Sequence, residues 1–471
     1  MLLGCSSPFT AEPENCFARS VSSNVDSIAG IPFIRWHPTS SIPDSECGNT
    51  GGSIEHHHNL TSLYGETEFT RNAQFVDINQ DGRREIITRT LNENQVRALN
   101  SETGSTLWVS PFILPASHHP QASDLVVADL DEDGQLEILI VTYDGHVLCI
   151  NAENGSLQWR RQLPYHINNP DLASSVGNIT DDPGREVALT VGTDVEWGPR
   201  SRPRINQIQN PSVVVLQADG SISWTADQYD STNSNGHRTW VHDVDGDGFS
   251  EVFAIGQRKV LAFDRKGTIR FAIPMENAGH PDQIVFGNWT DEHPGDEIIY
   301  TDGIHAIGVA SSSGERLELR RVRGPLGGHL QDLTLVPTPE GPHLLAQNIR
   351  DSEAKTVLYD QDLNPRWASQ LGYHASMQTT RLIDWDEDGQ LEIATGSISE
   401  TGDKQCSLQV MEIDGAPLYW HRWNDYRLCV ITDATEEALL VGVGWNEGSE
   451  GRYSLPDGVP MNLFVMNTTN P

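Results

Sequence analysis

Four acidic segments of the chain have residue types and a spacing that suit a bound metal ion. Each follows the pattern D-x-[DN]-x-D-G-x-x-E, in which side-chain oxygens occupy alternate positions and a glycine permits a sharp turn. Three oxygen-bearing side chains then lie on one side of a tight loop, and a glutamate completes the oxygen-rich set that Ca²⁺ prefers. The predicted ligands are Asp77, Asn79, Asp81 and Glu85; Asp129, Asp131, Asp133 and Glu137; Asp243, Asp245, Asp247 and Glu251; and Asp384, Asp386, Asp388 and Glu392.

Two further segments are degenerate versions of the same pattern. One contains Asn178, Thr180, Asp182 and Glu186, the other contains Asn288, Thr290, Glu292 and Glu297, and both carry a Pro-Gly insertion. We predict structural turns here and leave metal binding open. Strand patterns rather than helical periodicity flank all six segments, which excludes an EF-hand. The alternative for the four complete loops is an acidic surface turn without metal.

Histidines form a second regular pattern. One lies in each stretch that precedes the next acidic loop, so the sequence predicts imidazoles gathered at a central depression, with Tyr165, Tyr373 and Arg323 nearby in sequence. Such a face would suit an anionic ligand. The alternative is that each histidine only hydrogen-bonds a neighbouring repeat. The predicted ligand face consists of His119, His166, His237, His280, His329, His374 and His421.

An internal repeat positions both sets of residues. One unit recurs roughly every 50 residues, which is typical of a propeller blade. It consists of a strand, an acidic loop, a second strand joined by a hairpin to a third, and a fourth strand that ends near an aromatic residue. Eight repeat starts predict an all-β fold, an eight-bladed β-propeller of four-stranded antiparallel blades closed by an N-terminal strand, with seven blades as the alternative. Residues 1–27 are predicted to be a lipobox-like N-terminus and tether, and 28–471 one propeller domain, with a closing strand at 31–36, a loop at 37–71 and blades over 72–471.

The acidic loops resemble those of the FG-GAP/VCBS calcium-loop propellers, the class that includes integrin α-subunit heads. That resemblance implies bound Ca²⁺ and a propeller fold. The junctions Gly279–Val285 and Gly328–Leu333 show a weaker likeness to rhamnogalacturonan lyases of polysaccharide lyase family 11. This second likeness implies β-elimination on a uronate-containing glycan, although the chain has no room for the β-sandwich that precedes that family's propeller. The catalytic candidates it implies are His166, Tyr165, His280, Arg323, His374 and Tyr373.

Charge and the N-terminal residues bear on location and partners. The chain has 66 Asp and Glu against 31 Lys and Arg, a formal charge of −35, which excludes nucleic-acid partners. Leu2-Leu3-Gly4-Cys5 resembles the lipobox of bacterial lipoproteins, so we predict lipidation at Cys5 and a protein anchored to the bacterial envelope or secreted. Membrane contact is expected only through that anchor.

Cysteine spacing shows no metal-type pair. Cys16 with Cys47, and Cys406 with Cys429, could form disulfides in an oxidising compartment, whereas Cys149 belongs to an apolar run and is predicted to be core.

These patterns favour an exported calcium-binding propeller that is a surface or periplasmic binding module for a glycan or protein ligand. The predicted partners are an anionic polysaccharide or a surface protein. One alternative is a polysaccharide lyase, and a second is a structural scaffold in an envelope complex. No P-loop, G-x-S-x-G or H-E-x-x-H motif is present, so enzymatic activity stays open.

Overall fold

The computed structural model describes residues 21–38, 57–59, 73–90, 95–112, 124–142, 144–167, 175–194, 208–227, 239–256, 258–276, 283–303, 305–322, 324–328, 330–348, 355–370, 380–386, 388–396, 405–424, 428–435, 438–444 and 461–467. Their regular elements are β-strands apart from one 3-10 turn at Gly324–Leu326, so the predicted all-β class is confirmed. No helix in these residues is long and apolar enough to cross a membrane. The first strands are β1 (Val21–Ile28), β2 (Ile31–Pro38) and β3 (His57–Asn59).

Seven sheets follow, and each takes its four antiparallel positions from one continuous stretch of chain. We number them as the first to seventh blades; in the third blade, β12 and β13 both pair with β14. The first blade contains β4 (Gln74–Val76), β5 (Glu85–Arg89), β6 (Val96–Asn100) and β7 (Thr106–Val109), the second β8 (Asp124–Ala128), β9 (Glu137–Val141), β10 (His146–Asn151) and β11 (Leu157–Gln162), and the third β12 (His166–Ile167), β13 (Val176–Gly177), β14 (Glu186–Asp194), β15 (Ile208–Leu216) and β16 (Ile222–Ala226). The fourth contains β17 (Thr239–His242), β18 (Glu251–Gly256), β19 (Lys259–Phe263) and β20 (Ile269–Pro274), and the fifth β21 (Ile284–Gly287), β22 (Glu297–Thr301), β23 (Ala306–Ala310) and β24 (Arg316–Arg321). The sixth contains β25 (Leu330–Val336), β26 (His343–Asn348), β27 (Thr356–Tyr359) and β28 (Pro365–Ser369), and the seventh β29 (Thr380–Ile383), β30 (Glu392–Gly396), β31 (Gln405–Met411) and β32 (Pro417–Asn424).

A composite sheet closes the ring. It consists of β33 (Leu428–Ala434), β34 (Ala438–Gly444) and β35 (Met461–Asn467), with β3 from the N-terminal part of the chain paired to β35. β33 contacts β29 and β30 on one side and β4 on the other, and the Phe75 N–H donates a 2.7 Å hydrogen bond to Asp433 Oδ2. The β-propeller is therefore confirmed. Among the described residues the propeller has seven blades, each built from one continuous stretch of chain, so the predicted count of eight was wrong and the stated alternative of seven is confirmed.

The predicted closing strand at 31–36 was wrong. The segment does form a strand, β2, but it pairs in parallel with β28, the outer strand of the sixth blade, and forms a hairpin with β1. Phe33 and Ile34 are buried there: Phe33 belongs to an apolar cluster of the fifth and sixth blades, and Ile34 to one of the sixth and seventh. Closure instead uses β3, whose sequence has no apolar pattern to mark it. β1 lies almost entirely within the segment predicted to be a tether.

Burial within a blade follows from its place in the ring. In the second blade, every residue of β9 and the four central residues of β10 are buried, whereas β11 is largely exposed. The middle strands are covered by neighbouring blades on both faces and are therefore mainly apolar, while the outer strand meets solvent on one face.

Packing between blades depends on an aromatic ring placed over a glycine. Five contacts between consecutive blades share this arrangement: a ring on the fourth strand of one blade covers a glycine in the next blade, in the turn between the third and fourth strands. A Cβ added to that glycine would lie within 2.3–3.2 Å of the ring or of a neighbouring side chain. Three of the tryptophans also donate their indole N–H to a carbonyl of that turn, at 2.8–3.1 Å. The pairs are Trp108 with Gly155, Trp159 with Gly220, Trp224 with Gly267, Phe271 with Gly314, and Trp367 with Gly415.

Substituting Gly155 with alanine tests this packing. Its φ is +73°, and the new Cβ would lie 2.6 Å from Trp108 Cε3, so we expect a loss of about 3 kcal/mol from strain and overpacking together. Gly324→Ala is the matched control, because its φ is +67° with no atom within 4 Å, and it should cost about 1 kcal/mol. Chemical denaturation measures both; equal losses would contradict the proposed role of the ring contact.

Candidate functional site

The acidic loops lie on one face of the ring. Each joins the first strand of a blade to the second, and in an antiparallel meander this connection lies at the same end as the turn between the third and fourth strands. The Ala152 N–H in that turn of the second blade donates to Leu136 O at 2.9 Å, which confirms the proximity. The connections between blades are therefore at the opposite end of the strands.

All four complete loops share one hydrogen-bond pattern. The glycine after the third ligand donates its N–H to Oδ2 of the first aspartate at 2.9–3.1 Å. The residue after that glycine donates to Oδ1 of the third aspartate at 2.7–2.8 Å. These bonds fix the loop and orient the carboxylates, and the glycines concerned, at φ between +84° and +95°, adopt the left-handed conformation the turn requires. They are Gly82, Gly134, Gly248 and Gly389.

A buried glutamate opens the second strand in six blades. Each is at most 5% exposed, and each accepts a backbone N–H from its own loop. A carboxylate removed from water in this way requires further compensation from a cation or additional hydrogen bonds. The six residues are Glu85, Glu137, Glu186, Glu251, Glu297 and Glu392.

Three of the complete loops bring three carboxylates together, with one oxygen of each within 4.8 Å of the others. They are Asp129, Asp131 and Glu137; Asp243, Asp245 and Glu251; and Asp384, Asp386 and Glu392.

Unsatisfied oxygens distinguish two of these clusters. Asp129 Oδ1 is buried without a hydrogen-bond partner, and so are Asp384 Oδ1 and Glu392 Oε1. Native proteins seldom leave buried polar atoms unpaired, and convergent unpaired carboxylate oxygens are the donor set that a hard divalent cation such as Ca²⁺ requires. The loops at 129–137 and 384–392 therefore fit a calcium ion.

The loop of the first blade has one carboxylate fewer. Asn79 replaces an aspartate at its second ligand position, and the amide Nδ2 donates to Asp81 Oδ2 at 3.2 Å. Asp77 accepts two backbone N–H groups, from Asp81 and Gly82. Its donor set is compatible with calcium but carries a smaller negative charge.

The closing glutamates of the four complete loops have raised pKa values. Burial is the largest cause of the raised pKa of Glu85, Glu137, Glu251 and Glu392, and neighbouring aspartates add to it. For Glu392, burial followed by the charges of Asp386, Glu412 and Asp384 raises the pKa to about 7, against the lowering effect of the Trp385 N–H.

The fourth-blade cluster holds a cation from the chain itself. Arg270 on β20 bonds to Asp245 Oδ2 and to Glu251 Oε1, each at 2.5 Å. Although burial lowers the pKa of Arg270, its hydrogen bonds to the two carboxylates and their attraction outweigh that effect and raise it. In the second blade the corresponding side chain is Gln158, whose amide donates to Glu137 Oε1 at 3.3 Å.

The two degenerate loops satisfy their buried glutamate internally. In the third blade, Thr180 Oγ1 donates to Glu186 Oε1 at 2.6 Å, and two backbone N–H groups bind Oε2. In the fifth blade, Thr290 Oγ1 makes the equivalent contact to Glu297 at 3.5 Å. A hydroxyl thus replaces the second carboxylate, which agrees with the prediction that these are structural turns.

A cavity of about 420 Å³ lies at the centre of the ring. The innermost strands of the fourth to seventh blades line it, with apolar walls that include Trp240, Phe286 and Leu335. Polar groups also face it: Gln283 is 2% exposed and its Oε1 has no hydrogen-bond partner, and Arg381 is half-buried. The volume and the mixture of aromatic and convergent polar groups are typical of small-ligand sites.

The predicted ring of histidines is only partly described. His166 lies on β12, paired with Gly192, and Tyr165 immediately precedes it. His421 lies inside the strand β32 rather than in a connection between blades. The gathering of imidazoles therefore stays a prediction. Outside the described residues lie His119, His237, His280, His329, His374, Arg323, Tyr373 and Cys5.

The buried cysteines are free thiols. Cys149 is core, as predicted, and Cys429 is free, so the suggested bridge to Cys406 is wrong. Cys406 pairs with Trp423 in the seventh blade, whereas Cys429 packs among apolar side chains on β33 of the composite sheet.

Several residues that matter to these sites were missed by the sequence reasoning. Arg270 and Gln158 immediately precede the fourth-strand aromatic, a repeat position that could have identified them because alternate strand residues face opposite ways. The cavity residues, such as Gln283 and Arg381, have no motif and depend on ring closure for their proximity.

Comparison with known proteins supports the propeller and its loops. Residues 77–140, which include the first two acidic loops, match an FG-GAP-like repeat. No curated protein matches the chain. Sqt1 of Saccharomyces cerevisiae is similar in structure, with 13% identity, a TM-score of 0.54, and coverage of 88% of this chain and 98% of Sqt1. The computationally designed Ika8 protein has 11% identity, a TM-score of 0.52, and coverage of 85% and 96%.

At these identities the structural similarity concerns the fold alone. Together with the FG-GAP-like match, it supports the resemblance to FG-GAP propellers. The likeness to rhamnogalacturonan lyases has no support in these comparisons and stays a prediction.

The pKa of Glu392 predicts how metal-free protein responds to pH. Its folded value, about 7, lies above its ordinary value of 4.5, so ionisation opposes folding, and stability falls as pH rises through 7. In EGTA we expect Tm to increase from pH 8 to pH 6, with a smaller increase in Glu392→Gln. In saturating calcium the gain due to calcium should shrink on acidification, because protons compete for the ligands. A Tm in EGTA that falls between pH 8 and pH 6 would contradict this account.

Proposed function

We propose that the chain is an exported, calcium-stabilised β-propeller that acts as a binding module for an acidic glycan. The observation that carries the calcium part is the set of buried, unpartnered oxygens on Asp129, Asp384 and Glu392 within the acidic loops. The FG-GAP-like match over 77–140 adds support, because it covers two of these loops.

Calcium fits these loops better than magnesium does. Each loop offers carboxylates from alternate positions and a closing glutamate, whereas magnesium usually retains several waters and binds one or two carboxylates. Two neutralised clusters would also reduce repulsion in a chain of formal charge −35. The ions stabilise the loops.

The composite sheet closes the ring in this proposal. β33 lies between the inner strands of the seventh and first blades, and β3 adds the outer strand from the other end of the chain. Ring closure of this kind leaves no open sheet at either end of the array.

An acidic glycan suits the axial cavity. Trp240 and Phe286 offer aromatic surface, the unpaired amide oxygen of Gln283 can accept a hydrogen bond from a sugar hydroxyl, and Arg381 supplies a cation for a carboxylate. Arg381 is held by hydrogen bonds to Thr380 O and Thr432 O, at 3.0 and 3.1 Å, which orient its guanidinium. A protein ligand is the alternative occupant.

Export and anchoring are proposed from the lipobox-like Leu2-Leu3-Gly4-Cys5. Lipidation at Cys5 would hold the propeller at the envelope, where polysaccharides are accessible.

Calcium should raise the thermal stability of the purified protein. A ligand at 100 times its Kd adds about 2.7 kcal/mol per site to the free energy of unfolding. We expect Asp386→Asn to reduce the rise in Tm on replacing EGTA with calcium. Asp182→Asn, in the degenerate third-blade loop, is the matched control and should leave the rise unchanged. No rise in the wild type, or the same rise in both variants, would contradict the calcium assignment.

Glycan binding is tested by titrating uronic-acid oligosaccharides, and the same oligosaccharides with reduced carboxyl groups, at one fixed calcium concentration. We expect the acidic form to bind at least about tenfold more tightly, since a charged hydrogen bond contributes about 1.5–3 kcal/mol. Arg381→Gln should remove this preference, and Thr334→Trp should block both ligands by filling the cavity. Absence of binding to every oligosaccharide would exclude the glycan; release of an unsaturated uronate would favour the lyase alternative.

A further inference from the structure

The four complete acidic loops differ in what lies against their carboxylates. In the fourth blade, Arg270 places its two terminal nitrogens on Asp245 and Glu251, with both N···O distances at 2.5 Å. Glu251 is 5% exposed, and Arg270 reaches it from the fourth strand of the same blade, with the third strand between them. A planar guanidinium suits such two-carboxylate contacts and stays charged at every physiological pH.

The same repeat position is neutral in the other three complete loops. It is Leu107 in the first blade, Gln158 in the second and Tyr419 in the seventh, each one residue before the fourth-strand tryptophan. In the second and seventh blades the clusters retain a buried carboxylate oxygen without a partner, whereas no atom of Asp243, Asp245 or Glu251 is in that state. The sequence motif is the same, but the local charge balance is different.

We propose that Arg270 is a built-in cation that replaces calcium in the loop at 243–251, so that this loop folds without metal while the loops at 129–137 and 384–392 require it. The inference rests on the proposed calcium function of those two loops. A divalent ion among Asp243, Asp245 and Glu251 would have to displace the guanidinium from two of its ligands and would meet its positive charge at close range.

Exchanging the two side chains at this position tests the proposal directly. Arg270→Gln gives the fourth blade the residue of the second, and Gln158→Arg gives the second blade the residue of the fourth. Arg316→Gln is the matched control: Arg316 is 32% exposed against 33% for Arg270, and it pairs with Glu276, outside any acidic loop. Calcium stoichiometry is measured on the intact chain by isothermal titration calorimetry, with Tm in EGTA and in calcium as a second readout.

We expect Arg270→Gln to bind one more calcium ion per chain than the wild type, and Gln158→Arg one fewer. Arg270→Gln should also lose stability in EGTA and recover it in calcium, because the uncompensated carboxylates then depend on the metal. Arg316→Gln should match the wild-type stoichiometry. If Arg270→Gln fails to fold in EGTA, its stoichiometry is measured after refolding in calcium.

An unchanged stoichiometry in both exchange variants would overturn the role of Arg270 while leaving the proposed function intact. A wild type and variants that all bind no calcium would instead overturn the proposed function. The two failures are therefore distinguishable in one set of titrations.

Discussion

The structure depends on one electrostatic constraint: six blades begin their second strand with a buried glutamate, and each of these carboxylates must be compensated. A backbone N–H from the loop supplies part of the compensation in every blade. The remainder differs from blade to blade. Thr180 and Thr290 supply hydroxyls, and Arg270 supplies a cation. Around Glu392 neither occurs, its Oε1 has no hydrogen-bond partner, and a bound calcium ion completes the set in our proposal.

Loop chemistry and blade packing occupy the same face of the ring. The turns that receive the aromatic rings lie beside the acidic loops, and loops of adjacent blades also bond to one another. The Arg185 N–H donates to Leu130 O at 2.7 Å, and the Ser250 N–H donates to Asn178 O at 2.6 Å. A metal that orders one loop therefore also supports its neighbour, and through it the inner strands that line the axial cavity.

Sequence reasoning predicted the elements that repeat. The acidic loops and the fourth-strand aromatics follow from local patterns that recur in phase. The closing strand could not be identified in the same way, because any short strand can fill an outer position in a propeller. β2 pairs with the sixth blade, where the apolar side chain of Phe33 is buried, and β3 takes the outer position in the composite sheet. The cavity residues come from four different blades, so only the closed ring makes them neighbours.

The central claim is that metal-dependent loops and a self-compensated loop coexist in one ring. It is tested most directly by an anomalous-difference map from crystals grown in calcium. We predict peaks enclosed by Asp129, Asp131 and Glu137 and by Asp384, Asp386 and Glu392, and no peak at Asp245 and Glu251, where Arg270 lies. Absence of peaks at the first two clusters, or a peak at the third with Arg270 displaced, would contradict it.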